Sequence, residues 1–401
     1  MDGFVARKNI ASNPLWQTRE PRLSALDIEL TERCDNACQH CYINLPQNDP
    51  TARAAELTTS EWKRILKEAA QLGVLRVRFT GGEPLLREDF AELYEYARRL
   101  GLRVTLFTNA RHITPELAAL FQRIPPLQKI EITVYGMTAE TYEEVTCAPG
   151  SFAEFRRGID LLLASGVPFL VKSVDLPQMR HELPAFQAWA ATLPGMELPA
   201  SVTRILDLRA RRDSPARSKH IAALRGDPEE VARNRLASSN LRADILRLAT
   251  DQHGANALFG CAAGACALPT IDARGRMQAC MLLRAPQLAY DLRAGSMTDA
   301  LEHFFPRLGW MKSETPAFLR RCARCFLRNI CDQCAAKSWM ESGTLDTPVE
   351  YYCQVTHAIA RQVGLLAEGE RSWDVTNGRE RANRILGGIN EPEPGSNLST
   401  L

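Results

Sequence analysis

No stretch of the 401-residue sequence holds the roughly 18–20 consecutive apolar residues that a membrane helix requires. The opening residues, MDGFVARKNIASNPLW, lack the apolar core of a secretory signal. Charge is nearly balanced, with 49 Lys and Arg against 47 Asp and Glu, so the net +2 is not the marked basic excess of a general nucleic-acid binder. No repeat at a solenoid period is present. These absences predict a cytoplasmic protein with neither membrane nor nucleic acid as a partner. The 45% hydrophobic content is ordinary for a globular chain, and the length allows two domains or one large domain with appendages.

Cysteine is plentiful. Twelve cysteines without a secretory signal point to a reducing compartment, where thiols stay available for metals and a disulfide framework is not expected. Three of them, Cys34, Cys38 and Cys41, lie in the run ELTERCDNACQHCY, with three and then two residues between. That set supplies three thiolates to a four-iron cubane and leaves one iron open for chemistry. The spacing alone also fits a zinc site or three unrelated thiols.

Short β runs alternate with helical periods from about residue 25 to 200. The strands are expected at 25–30, 74–80, 103–109, 129–136, 167–174 and about 197–206. Thr58 and Glu61 form a capping-box pattern before a helix with Trp62, Ile65, Leu66, Ala69 and Leu72 on one face. Pro115 opens another helix after Thr114, and Ser151 with Glu154 marks a third. Repeated strand–helix units imply a parallel sheet with right-handed crossovers, and six units make an open partial barrel. Such sheets bind ligands at the carboxyl ends of their strands. The cysteine loop, Gly81-Gly82-Glu83-Pro84, Thr108–Asn109 and Tyr135–Gly136 all follow expected strands.

With Tyr42 directly after the third cysteine and the GGEP run about forty residues on, the chain resembles the radical S-adenosylmethionine (radical SAM) enzymes. A second array closely resembles the SPASM domain, a carboxy-terminal extension of that family: Cys261, Cys266, Cys280, Cys322, Cys325, Cys331, Cys334 and Cys353. Eight thiolates also suffice for two zinc ribbons. The fold implied is α/β, a partial (β/α)6 TIM-like barrel with a cysteine-rich auxiliary-cluster domain. The expected divisions are an extension at 1–22, the barrel at 23–206, linking helices at 207–258, the SPASM-like domain at 259–355, and a helix to about 387 with a flexible tail within 356–401.

The resemblance implies one catalytic and two auxiliary 4Fe–4S clusters. Cys261, Cys266, Cys280 and Cys334 would hold one auxiliary cluster, and Cys322, Cys325, Cys331 and Cys353 the other. The chain departs from the family in placing two residues, Asp332 and Gln333, before Cys334 where three are usual. S-adenosylmethionine would chelate the open iron and be cleaved reductively to a 5′-deoxyadenosyl radical, which takes hydrogen from the substrate. Gly81 and Gly82 would permit close backbone approach to its methionine end, Glu83 would meet its ammonium, and Pro84 would fix the turn. Tyr42 would lie beside the adenine, while Thr108, Asn109 and Thr133 would reach the sugar or amino-acid part. Val145 stands where relatives carry an arginine, so Lys172 becomes the candidate partner of the cofactor's carboxylate, with substrate binding or a plain surface position as alternatives.

Auxiliary clusters would handle electrons, supplied by a one-electron reductant of flavodoxin or ferredoxin type. SPASM enzymes most often modify ribosomally made peptides by crosslinks or thioether bonds, and some act on haem precursors. Too few residues precede Cys34 for a leader-binding domain, so leader recognition would fall to a separate protein or to the basic 204–225 segment, which contains LRARRDSPARSKH (208–220). That stretch reads as a solvated connector or as a contact surface for an acidic partner. Met281 replaces the aspartate that sulfatase-maturing relatives use as a base. A non-catalytic electron carrier is the remote alternative, for it has no use for GGEP or an open iron. Cys147 is left over, either an incidental thiol or a catalytic one.

Overall fold

The computed structural model describes residues 23–126, 129–237, 241–251, 256–261 and 268–390. They form two compact units: residues up to Arg225 together with Cys261–Leu308, and Gly226–Gly260 together with Gly309 onward.

The first unit is built on a nine-stranded sheet. Its strands are β1 (Ala25–Thr31), β2 (Arg76–Gly81), β3 (Arg103–Thr108), β4 (Ile130–Val134), β5 (Phe169–Val174), β6 (Ser201–Thr203), β7 (Thr270–Ile271), β8 (Arg276–Gln278) and β9 (Ala289–Asp291), in the order β9-β8-β7-β1-β2-β3-β4-β5-β6. Strands β1 to β6 run parallel, each joined to the next by a helical crossover. This is the partial barrel. On β1, Leu26, Ile28 and Leu30 are fully buried, while Asp27 on the alternate face lines a cavity of about 680 Å3 with Arg78, Thr105, Phe107 and Glu131. Charged side chains of β1, β2 and β4 thus share the lumen with the Phe107 ring.

The first crossover helix, α1 (Thr59–Gln71), starts as its sequence expects. Glu61 accepts from the Thr58 N–H at 2.7 Å and Thr58 Oγ1 accepts from the Glu61 N–H at 3.3 Å. It buries Trp62, Ile65, Leu66 and Ala69, and the larger three each contribute about 1.5–3 kcal/mol by leaving water. The other crossovers include α2 (Phe90–Arg99), α3 (Pro115–Arg123), α4 (Ala139–Thr146), α5 (Ser151–Ala164) and α6 (Leu183–Ala190), and α7 (Pro215–Ala223) follows β6.

Two features differ from the sequence pattern. Strand β6 spans only three residues, because Pro199 just before it brings no N–H to a ladder. At the other edge, β7 pairs parallel with β1 and turns through Gly275 (φ +83°) into antiparallel β8 and β9. These two- and three-residue strands are too short to show a period, yet they extend the barrel sheet.

The second unit holds helices α8 (Pro228–Leu236), α9 (Leu241–Thr250), α10 (Ala335–Ser342), α11 (Glu350–Gln362) and α12 (Gly378–Asn390). Helix α8 packs along α11, where Arg361 pairs with Glu229, and α9 packs along α12. The helix expected to run from Cys353 to about 387 is broken. Gly364 takes φ +84°, its N–H bonds the Arg361 carbonyl, and the Leu365 N–H returns to Ala360 at 2.8 Å. A turn at Arg371–Asp374 intervenes before α12 begins. Among the described residues, no helix is long and apolar enough to cross a membrane.

Candidate active site

The cysteine loop leaves β1 and is closed by a short parallel pairing of Arg33–Cys34 with Leu45–Pro46. Two of its thiols receive backbone donors: the Asn36 N–H points at Cys34 Sγ and the Asn44 N–H at Cys41 Sγ, each at 3.4 Å. The third, Cys38, is buried and hydrogen-bonds the Tyr135 side chain from the tip of β4. Burial and the neighbouring Cys38 push the Cys34 thiol up, and burial and Cys41 do the same to Cys38. The loop is also stitched to the end of α4, with Ala37 N–H to the Thr146 carbonyl at 2.8 Å and Gln39 N–H to that of Val145 at 3.3 Å. Cys147 caps this helix in the left-handed region (φ +49°), exposed, 3.6 Å from the Gln39 side-chain nitrogen.

The GGEP turn sits directly against this loop. A Cβ on Gly81 (φ +138°) would come within 2.1 Å of the Thr31 carbonyl oxygen, and one on Gly82 within 2.1 Å of that of Arg33. Both glycines are thus demanded by the close approach of β1 and the turn. Glu83 is buried, and its carboxylate is already engaged: Oε1 accepts from the Leu85 N–H at 3.0 Å and the Thr108 hydroxyl at 2.8 Å, and Oε2 from the Asn109 N–H at 2.8 Å. Pro84 opens a 3-10 turn. The Asn109 amide reaches back to Asp35 in the cysteine loop at 2.7 Å, and Arg111 donates to the Asp35 carbonyl at 2.7 Å. The loop, the turn and the tip of β3 are one hydrogen-bonded body.

Sequence reasoning missed the groups that hold the loop from the other side. The basic segment after β6 is exposed at Arg212, Pro215, Ala216 and Lys219, but its other arginines turn inward. Arg209 is 1% exposed and donates to the carbonyls of Cys41 (3.1 Å) and Asn44 (3.2 Å), with Asp213 on its far edge at 2.7 Å. Arg217, on α7, donates to the Cys38 carbonyl at 3.2 Å and to Asn44 Oδ1 at 2.7 Å. Arg211 pairs with Glu32 at 2.6 Å, and Arg274 of the β7–β8 turn meets its other oxygen at 3.3 Å. A guanidinium suits this task because its fixed fork can satisfy several carbonyls at once. Residue spacing carries no trace of such long-range pairing.

Tyr42 follows the third cysteine into a packed corner, where burial and then the Glu29 carboxylate hold its hydroxyl protonated. Glu29 shares the lumen face of β1 with Asp27 and pairs with the buried Arg284, which also donates to Gln278 at 2.6 Å. Burial raises the Glu29 carboxyl to about 7 against the pull of Arg284, and its Oε2 has no hydrogen-bond partner. Thr133 pairs across to Lys172 in the ladder of β4 and β5. The Lys172 amine sits inside the barrel, 3.0 Å from Glu131 and 3.4 Å from the centre of the Phe107 ring. It is therefore a lumen residue already paired with a carboxylate.

In the second unit, burial and Cys331 raise Cys322 to about 11, and burial with Ser372, Cys331 and Cys322 acting on it leaves Cys325 at about 12. Cys353 is raised to about 12 by burial and by Cys331, Cys322 and Cys325. These four thiols, far apart in sequence, are mutual neighbours. Cys334 caps α10 in the same unit. In the first unit Cys280 lies near Cys261, and Cys266 falls outside the described residues.

Among the described residues, no three His, Cys, Asp or Glu side chains converge as the ligands of a single metal ion would. A cubane spreads its ligand sulfurs farther apart than one ion does. Thiols that are desolvated, crowded by one another and met by N–H donors suit such a cluster, whose sulfurs accept hydrogen bonds and whose irons carry the compensating charge.

Comparison with known proteins agrees with this geometry. Residues 28–184 match the radical SAM superfamily. An AdoMet-dependent heme synthase of Oleidesulfovibrio alaskensis is 26% identical over 346 residues, covering 81% of this chain and 85% of that protein. A PqqA peptide cyclase of Gluconobacter oxydans is 37% identical over 174 residues, 43% of this chain and 47% of the cyclase. Among solved structures, Streptococcus suis SuiB bound to its precursor peptide SuiA superposes with a TM-score of 0.61 at 16% identity, covering 82% of this chain and 75% of SuiB, a likeness of fold. Residues 28–184 thus carry a radical SAM domain, and the chain shares the fold of SuiB.

Proposed function

We propose that this enzyme abstracts hydrogen from a ribosomally made peptide and so forms a crosslink or thioether bond. Cys34, Cys38 and Cys41 would hold the catalytic cluster, which with bound S-adenosylmethionine supplies the 5′-deoxyadenosyl radical. The observation that carries the reading is the single hydrogen-bonded body formed by the cysteine loop, the Gly81–Gly82–Glu83 turn and Thr108–Asn109 at the strand tips. The protein's task there is to bind, orient and exclude water. The glycine turn brings backbone to the rim, Glu83 fixes the turn, Tyr42 would lie beside the cofactor's adenine, and Arg209 with Arg217 set the shape of the loop. Lys172 and Glu131, inside the barrel, face a substrate more readily than the cofactor's carboxylate. Likeness to the peptide cyclase and to the SuiB–SuiA complex supports a peptide.

A second reading, a haem precursor as substrate, is favoured by one observation: the heme synthase aligns over nearly its whole length. Cys322, Cys325, Cys331 and Cys353 would hold an auxiliary cluster that takes or supplies electrons. Cys261, Cys266, Cys280 and Cys334 are the proposed ligands of another. An external flavodoxin- or ferredoxin-type protein would supply reductant.

The test is anaerobic reconstitution, iron and sulfide counting, then reductant with S-adenosylmethionine and chromatographic detection of 5′-deoxyadenosine. About twelve irons per chain, four per cluster, and 5′-deoxyadenosine in the wild type but not in Cys38→Ala are expected. Failure of the fully loaded, reduced protein to cleave the cofactor, with or without a synthetic precursor peptide or a carboxylated porphyrin, would overturn the proposal. Which of the two additions gains mass decides the substrate.

A further inference from the structure

The four neighbouring thiols of the second unit are covered by chain from beyond the last of them. Helix α11 stops at Gln362, Gly364 turns the backbone, and the segment returns so that Ser372 lies against Cys325. Ser372 is completely buried, and its hydroxyl lies 2.9 Å from Cys325 Sγ. Its backbone N–H donates to His357 Nε2 at 3.2 Å, while His357 Nδ1 stands 2.7 Å from the Cys353 carbonyl. Because Nε2 accepts, Nδ1 carries the ring proton and donates, so a neutral His357 hooks the turn onto α11.

Trp373 completes the cover. Its ring centre is 5.4 Å from that of His357, and the Arg321 guanidinium lies 4.7 Å above it. Arg321 in turn donates to Cys353 Sγ at 3.5 Å, and the Thr356 side chain hydrogen-bonds Cys331. Cys325 takes the Leu327 backbone N–H and, from the returning segment, the Ser372 hydroxyl.

We propose that Ser372 is a positioning residue that raises the reduction potential of a four-iron cluster held by Cys322, Cys325, Cys331 and Cys353, by donating its hydroxyl proton to the Cys325 sulfur. The inference rests on the reading of those four thiols as cluster ligands. A ligating thiolate carries no proton, so the hydroxyl between it and the buried turn must be the donor. One-electron reduction adds a negative charge to the cluster and its sulfurs. A donor fixed at 2.9 Å and itself completely buried therefore favours the reduced form over the oxidised one. His357 holds the donor in place through the backbone, so the contact costs little further ordering. The arrangement suits a cluster that accepts an electron from the substrate more than one that must donate at very low potential.

The experiment is an EPR-monitored redox titration of the reconstituted full chain. A Cys322→Ala/Cys353→Ala variant first identifies the signal that belongs to this site. Ser372→Ala should then lower the midpoint of that signal alone, with iron content unchanged. The reduced-to-oxidised ratio at the wild-type midpoint should fall roughly tenfold, which is 59 mV for one electron. Ser372→Thr, which keeps the hydroxyl, should return the midpoint to the wild-type value. An exchangeable proton coupling in deuterium-exchange ENDOR should vanish in the alanine variant and persist in the threonine one.

An unchanged midpoint in Ser372→Ala at full iron content overturns the proposal. Loss of the cluster in that variant overturns it too, since the residue would then serve only the structure of the site. If the cysteine double variant holds as much iron as the wild type and loses no signal, the four-thiolate reading itself fails, and that result is distinct from the other two.

Discussion

The backbone N–H of Asn109 donates to Glu83 Oε2 at 2.8 Å, so a buried carboxylate joins the tip of β3 to the glycine turn after β2. Glu83→Ala would strand three buried donors, those of Leu85, Thr108 and Asn109. Each orphaned donor costs about 1–3 kcal/mol, so a loss of several kcal/mol is expected, with S-adenosylmethionine binding weakened more than tenfold. Glu83→Gln, of the same shape, should lose less. Denaturant unfolding and equilibrium dialysis check both, and a wild-type unfolding midpoint in the alanine variant contradicts the assignment.

Arg209 offers a sharper test of the cysteine loop. Lysine at this position keeps the charge but cannot fork between the carbonyls of Cys41 and Asn44. Arg209→Lys should load iron slowly and release it at chelator concentrations the wild type withstands. Iron retention against chelator is the measurement. Equal retention by the two proteins would leave Arg209 without this role.

The Glu29–Arg284 pair is closed to water on both sides. Removing one partner leaves the other charge buried and unpaired, so Arg284→Met should cost about 3–5 kcal/mol. Adding Glu29→Leu should recover much of that loss. A double-mutant cycle by chemical denaturation measures the coupling, and simple additivity of the two changes would rule it out.

Acid should weaken the start of α1. Slight burial pushes the Glu61 carboxyl up, but the Thr58 N–H and Arg293 outweigh it and hold the group down to about 2. A carboxyl held below its ordinary 4.5 contributes stability above that pH and loses it as pH falls toward 2. The capping box it completes is worth about 1 kcal/mol. Glu61→Gln should lower stability at pH 7 by about that amount and flatten the acid limb of the stability curve. Parallel acid limbs in the two proteins would count against this account.

What could be read from the chain follows from the range of the forces involved. Strands β1 to β5 carry apolar residues at a period of two and end in turn residues, and local sequence encodes both. The three cysteines and GGEP are legible because one strand and one turn present them together. Strands β7 to β9 are too short to show a period and are recruited by pairing with β1. The arginine clamp was read as a solvated connector or a partner-contact surface because 168 positions separate Arg209 from Cys41, and a charge run looks alike whether it meets water or carbonyls. Ser372 was invisible because its importance arises only after Gly364 reverses the chain. Lys172 was read as a candidate partner of the cofactor's carboxylate, with substrate binding or a surface position as alternatives; its contacts with Glu131 and Phe107 in the lumen arise from strands that sequence does not show to be adjacent.

The distance along the chain between Cys41 and Arg209 also orders events during synthesis. A ribosome that has released all three cysteines has yet to make the guanidinium groups that grip their carbonyls. A nascent chain that has yet to reach Arg217 carries the whole motif but not the complete mould that shapes it. The clamp is accordingly complete only once the barrel's final strand and the returning segment behind it have been made.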